Sequence, residues 1–132
     1  MKYKIQIQIN SEGQILPLGI DLSDSFILNW NRKGSEFEIE LDLSIWPKSP
    51  HYIKPAKNEF TCYKKGILRF YGIKELNSFV KLDSISPSID LDGSFDWGCI
   101  FDFKKENEQL KFSTEFTDIR VTCDQFELEL ND

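Results

Sequence analysis

Catalysis by a nucleophile and a general base would have to use His51, because it is the only histidine in the 132-residue chain. A serine or cysteine nucleophile needs such a base to accept its proton. Ser49 and Tyr52 lie near it in the sequence, but together these residues form no known catalytic signature. A lone histidine in a proline-rich loop is typically solvent-exposed, so we predict a non-enzymatic protein without a catalytic site.

Oxygen-bearing side chains recur in the segment DLDGSFD, at Asp90, Asp92, Ser94 and Asp96. Calcium binds carboxylates at such spacing when a bent loop brings them together. An EF-hand loop that began at Asp90 would need glycine at its sixth position and glutamate at its twelfth, where this chain has phenylalanine. We interpret the segment as a polar turn that leads into a strand, and we predict no metal site.

The cysteines and glycines offer no other cofactor or metal motif. Three cysteines, Cys62, Cys99 and Cys123, are an odd number without a C-x-x-C pair, which fits neither a disulfide framework nor a zinc site. Each lies in an alternating apolar stretch, so we expect buried thiols and a reducing, cytoplasmic location. The seven glycines form no phosphate-binding loop, and no apolar run approaches the roughly 20 residues of a transmembrane helix.

Alternation of apolar and polar residues indicates β-strands along most of the chain. Tyr3, Ile5, Ile7 and Ile9 alternate with lysine and glutamine, and residues 35–43 alternate in the same way. Because successive side chains of a strand point to opposite faces, each segment has one apolar face and one polar face. Strands are predicted at 2–9, 25–31, 35–43, 59–64, 67–71, 79–85, 95–103, 110–116, 119–123 and 126–130.

Turn signals separate these segments. Residues 31–34 predict a hairpin, 47–58 a proline-rich loop, Lys65-Gly66 a turn, 72–78 a single helical turn and 86–93 a second loop. No helical stretch is long enough to connect parallel strands. We therefore predict one all-β domain over residues 1–132, an antiparallel β-sandwich or partly open barrel of about nine to ten strands with little or no helix.

Charge is distributed unevenly in this chain, whose 22 acidic and 16 basic residues give a net charge of −6. Residues 1–42 hold four basic and seven acidic groups, residues 43–81 eight and two, and residues 82–132 four and thirteen. An acidic chain is poorly suited to nucleic-acid phosphates or anionic membranes, so we predict neither as a partner. The blocks either form a dipolar surface that steers a charged partner, or meet across the fold and cancel.

Two segments resemble small all-β bacterial proteins of the predicted toxin-immunity type. They are residues 68–73 (LRFYGI) and residues 119–124 (IRVTCD), the latter followed by FEL at 126–128. The resemblance in strand rhythm covers residues 20–130. It implies a non-catalytic protein that neutralises a toxin by binding it.

Candidate binding residues follow from charge and from loop composition. An acidic surface that contains Asp90, Asp92 and Asp96 could meet a basic cleft of a protein partner. His51 and Tyr52 lie among lysines in a loop, and loops on rigid sheets often carry function. The alternative is a small-ligand-binding barrel or sandwich, in which some of the eighteen aromatic residues would line a cavity instead of filling the core.

Overall fold

A computed structural model describes residues 1–55, 61–78, 88–89, 95–96, 98–115 and 117–131. These residues form β-strands and no helix, and therefore none that could span a membrane. The strands are β1 (Lys2–Lys4), β2 (Ile7–Ile9), β3 (Ile15–Pro17), β4 (Ile20–Lys33), β5 (Glu36–Ile45), β6 (Cys62–Tyr71), β7 (Glu75–Ser78), β8 (Ser88–Ile89), β9 (Phe95–Asp96), β10 (Ile100–Glu106), β11 (Gln109–Thr114), β12 (Asp118–Thr122) and β13 (Gln125–Asn131).

The strands build an antiparallel β-sandwich. One sheet has five strands in the order β1-β13-β6-β5-β4, and the other has four in the order β10-β11-β12-β7. Two short hairpins, β2-β3 and β8-β9, accompany them. The predicted all-β antiparallel class is confirmed. The thirteen strands of the described residues exceed the predicted nine to ten, chiefly because five of them are only two or three residues long.

Phenylalanines join the two sheets in the interior. The ring of Phe103 on β10 lies 6.3 Å from that of Phe70 on β6, and 5.4 and 5.5 Å from those of Phe112 and Phe126. Phe37 stacks on Phe70 at 6.0 Å. Tilted and edge-to-face contacts of this kind are the arrangements that aromatic pairs prefer. These phenylalanines fill the interior, as the alternation predicts.

The first predicted strand is divided between two sheets. Ile5 is buried, whereas Tyr3 and Ile9 are exposed, so these residues do not share the one buried face that the alternation predicts. The Ile5 N–H donates to the Leu128 carbonyl, while the Gln6 carbonyl accepts a hydrogen bond from the Leu18 N–H. The chain therefore changes pairing partner between residues 5 and 6, and β1 and β2 belong to different ladders.

The predicted Lys65-Gly66 turn is wrong. β6 continues through it, and Gly66 pairs with Leu41 on one side and with Leu130 on the other. A Cβ atom at Gly66 would overlap Leu43 Cδ1 and lie 2.8 Å from the Glu129 carbonyl oxygen. The glycine thus allows close packing in a central strand instead of reversing the chain.

Other expectations differ in detail. The region predicted to contain a helical turn forms β7, and residues 88–89 of the predicted loop form β8. The predicted strand at 79–85 lies outside the described residues. Cys62 is buried, as expected, but Cys99 and Cys123 are only half-buried.

Replacement of Gly66 by alanine should destabilise the protein by about 1–3 kcal/mol, because its Cβ has no space in the middle of the sheet. Urea unfolding measures this change. Gly34→Asn is the control, since Gly34 has a φ of +57° and open space around its Cβ position, and asparagine tolerates this backbone conformation. An equal loss in both variants would contradict the packing role of Gly66.

Candidate functional site

A bulge in β10 turns one aromatic side chain out of the core. The register with β11 shifts between Ile100 and Asp102, which leaves Phe101 as the extra residue. Ile100 and Phe103 are both buried, whereas Phe101 is 63% exposed. Alternation along the predicted strand at 95–103 places Phe101 on the same buried face as Phe103, and this prediction is wrong.

A larger irregularity interrupts β4. Asp21 pairs with Ser44 and Phe26 pairs with Asp42, so the four residues 22–25 oppose a single residue of β5. The fully buried Ser25 holds this segment, since its Oγ donates to the Asp21 carbonyl at 2.7 Å and accepts from the Ser44 N–H at 3.0 Å. Ser44 Oγ donates in turn to Asp24 Oδ2 at 3.1 Å.

Both irregularities line one groove on the surface, with a volume of about 390 Å³. Buried side chains, among them Ile15, Ile20 and Phe103, form its base. Its exposed apolar residues are Leu16 (47% exposed), Leu18 (57%), Trp46 (51%) and Phe101 (63%). Exposed apolar side chains gathered around a depression mark an interaction site more often than scattered ones do.

Backbone contacts fix the position of Trp46 at the groove. It follows β5 directly, and its N–H donates to the Gly19 carbonyl at 2.9 Å. Gly19 has a φ of +76°, and a Cβ atom there would lie 2.9 Å from Ser49 Cβ. The turn after β3 therefore requires glycine, and its close approach to the loop after β5 places Trp46 beside Leu18.

The charged residues that line the groove are both acidic. They are Asp21 and Asp102, and none of the described lysines, arginines or histidine lines it. Asp21 Oδ1 accepts hydrogen bonds from the N–H and the Oγ of Ser23, at 3.1 and 2.6 Å. In the part of the chain that the structure describes, neither carboxylate forms an ion pair.

The sequence-predicted binding residues lie elsewhere. Tyr52 is half-buried and packs against the core, and the ring of His51 lies 4.7 Å from that of Tyr3. Neither lines the groove. Asp90 and Asp92 lie outside the described residues, and the backbone of Asp96 belongs to β9. Within the described ranges, no group of three histidine, cysteine, aspartate or glutamate residues could hold a metal.

The basic and acidic blocks of the sequence meet across the five-stranded sheet. Arg69 on β6 lies between Glu38 on β5, at 2.9 Å, and Glu127 on β13, at 3.3 Å. Lys65 pairs with Asp42 on β5 at 3.5 Å, and Lys4 pairs with Glu127 at the same distance. The second interpretation of the charge pattern, cancellation between neighbouring strands, thus applies to this sheet.

Sequence reasoning missed the exposed apolar residues of the groove, although one signal was available. Cys99, Ile100 and Phe101 are three consecutive apolar residues, and a strand with a period of two cannot bury all of them on one face. The contribution of Leu16, Leu18 and Trp46 depends on contacts between distant segments and has no comparable local signal.

The chain was compared with models of known protein families, with curated proteins and with solved structures, and no match was found. The residues of the groove therefore provide the basis for a functional proposal.

The Tyr71 hydroxyl donates to Glu127 and is the largest cause of a lowered pKa of that carboxyl, with Lys4 and Arg69 acting in the same direction. A lowered folded-state pKa contributes stability above the unfolded value of about 4.3, and this contribution is lost as the pH falls through the folded value. Tyr71→Phe should therefore lower the free energy of unfolding by about 1–2 kcal/mol at neutral pH, and the difference should shrink below about pH 4.

Urea unfolding at several pH values measures this difference. Tyr3→Phe is the control, because among the described residues the Tyr3 hydroxyl bonds only Met1, at an exposed position, and should contribute equally little at every pH. A difference for Tyr71→Phe that stayed constant from neutral to acidic pH would contradict the assignment to Glu127.

Proposed function

We propose that this chain is a non-enzymatic protein-binding module and that the groove is its binding surface. The observation that carries the proposal is the exposure of Trp46 and Phe101, each more than half accessible beside a buried apolar base. Aromatic side chains in well-packed pockets supply much of the energy of protein association. Covering these two rings would remove apolar surface from water at the place where the fold leaves it exposed.

The rigidity of the groove supports this proposal. Trp46 is held by its backbone hydrogen bond to Gly19, and Ser25 fixes the irregular segment of β4 through buried hydrogen bonds. A surface that is ordered before binding loses less conformational entropy when the partner arrives. Bulges that direct a side chain outward are also common next to functional sites.

A small ligand is the second candidate, since a volume of about 390 Å³ lies within the range of small-molecule sites. Such sites usually enclose most of the surface of their ligand. Here Leu16, Leu18, Trp46 and Phe101 remain largely accessible, which favours the flatter surface of a protein partner.

A narrower proposal is that the partner is a toxin which this chain neutralises by binding. The net charge of −6 would favour association with a basic protein, and both charged residues of the groove are acidic. Nuclease toxins have basic clefts because they bind nucleic-acid phosphates. Blocking or covering such a cleft would require no catalytic residue in this chain.

The groove proposal predicts that Trp46→Ser combined with Phe101→Ser strongly weakens partner binding without unfolding the protein. Removal of two central aromatic anchors should weaken the affinity at least about 30-fold, since hot-spot residues contribute 2 kcal/mol or more. Ile53→Ser is the matched control, because Ile53 is 63% exposed and does not line the groove.

Immobilised wild-type protein is used to capture partners from extracts of the cells that encode it. The purified partner is then titrated against the wild type and the variants. Thermal unfolding checks that the variants remain folded. A partner that bound the double variant as tightly as the wild type would show that the groove is not its site.

The toxin proposal predicts inhibition of the product of a neighbouring toxin-like gene by the purified wild-type protein. The Trp46→Ser, Phe101→Ser double variant should inhibit at least about 30-fold less well, whereas Ile53→Ser should inhibit normally. Absence of both binding and inhibition with the wild-type protein would reject this proposal.

A further inference from the structure

We infer that the groove recognises a linear segment of its partner in which a large apolar side chain is accompanied by a nearby lysine or arginine. This inference rests on the proposed protein-binding function and specifies the chemistry of the partner. The apolar side chain would lie between Trp46 and Phe101, and the cation would meet the carboxylates of Asp21 and Asp102.

The size of the groove limits what can enter it. One turn of an α-helix, about 10 Å wide with its side chains and 5.4 Å long, occupies roughly 420 Å³. The groove, at about 390 Å³, is open at the surface, so a partner helix would rest on it and insert only the side chains of one face. It would accommodate one or a few side chains, while the backbone that carries them would remain outside.

The charges of the groove define the second feature of the segment. In the described part of the chain, two charged residues line the groove, and both carry carboxylates. Asp21 Oδ1 accepts hydrogen bonds from Ser23. The Asp102 carboxylate forms no side-chain hydrogen bond or ion pair with a described residue, since the nearby Lys104 pairs with Glu106, the largest cause of its raised pKa, to which Asp102 also contributes. Glu38, Asp42 and Glu127 on the five-stranded sheet, in contrast, each have a basic partner within 3.5 Å.

The same charges disfavour two other occupants. A second copy of this chain would bring another net charge of −6 and another acidic groove to the interface. An anionic amphiphile would place its head group beside Asp21 and Asp102. A cationic segment avoids both repulsions and can form charge-assisted hydrogen bonds with the carboxylates.

A selection from a displayed library of random short linear peptides tests the inference, with the folded full-length protein as the target. The enriched peptides should combine an aromatic or large aliphatic residue with a lysine or arginine close to it. A synthetic peptide of the consensus sequence should bind the wild type. Its affinity for the Phe101→Ser variant should be at least about tenfold lower.

Charge variants test the cationic half of the motif. The Asp21→Asn, Asp102→Asn double variant should weaken peptide binding about tenfold and reduce its dependence on salt. Asparagine at position 21 keeps the Oδ1 acceptor that Ser23 uses, so the local turn is retained. The control is Glu36→Gln combined with Glu40→Gln, which changes the net charge equally on residues that do not line the groove and should leave affinity unchanged.

Four results would overturn the inference, and the partner-capture experiment tests the proposed function independently. Consensus peptides without a basic residue would reject the charged half, and peptides that bind Phe101→Ser normally would reject the site. Failure to enrich any groove-dependent peptide would reject recognition of a linear segment. Self-association in sedimentation velocity that Phe101→Ser abolishes would instead identify a second copy as the occupant.

Discussion

The face-to-face packing of the two sheets requires Ile100 and Phe103 to point into the interior together, and this constraint explains the groove as well as the core. The two residues are three apart, whereas a regular strand returns to the same face every second residue. The bulge at Phe101 absorbs the odd spacing. Phe103 can then contact three other phenylalanines, while Phe101 is directed outward. The most exposed aromatic ring of the groove is thus a consequence of core register.

In the irregular part of β4, polar side chains take over hydrogen bonds that a regular ladder would provide. Residues 22–25 leave the ladder, and their backbone needs other hydrogen-bonding partners because buried polar groups are costly when unpaired. Within the segment, the Ser23 N–H donates to the Asp21 carboxylate. At its edges, the buried Ser25 hydroxyl donates to the Asp21 carbonyl and accepts from the Ser44 N–H. The groove is therefore bordered by segments whose conformation is fixed by internal hydrogen bonds, so its shape exists before any partner binds.

Sequence alternation predicted most of the sandwich because one face of each sheet is buried. It placed strands at 35–43 and 119–123, close to Glu36–Ile45 and Asp118–Thr122. It failed at Gly66, where a residue typical of turns provides space between neighbouring strands, and at Phe101, where register with β11 overrides local rhythm. The candidate site was largely missed for the same reason. Leu18 and Trp46 become neighbours only after distant backbone segments pair.

The order of the strands explains the uneven charge pattern of the sequence. The basic segment 43–81 supplies β6, and β6 lies between the acidic strands β5 and β13, so Arg69 and Lys65 neutralise carboxylates locally. Much of the uneven charge distribution along the sequence is therefore neutralised within this one sheet. The remaining net charge of −6 acts over longer distances and would affect the rate of association with a basic partner. Affinity would depend on the groove, where apolar contact and two carboxylates act at short range.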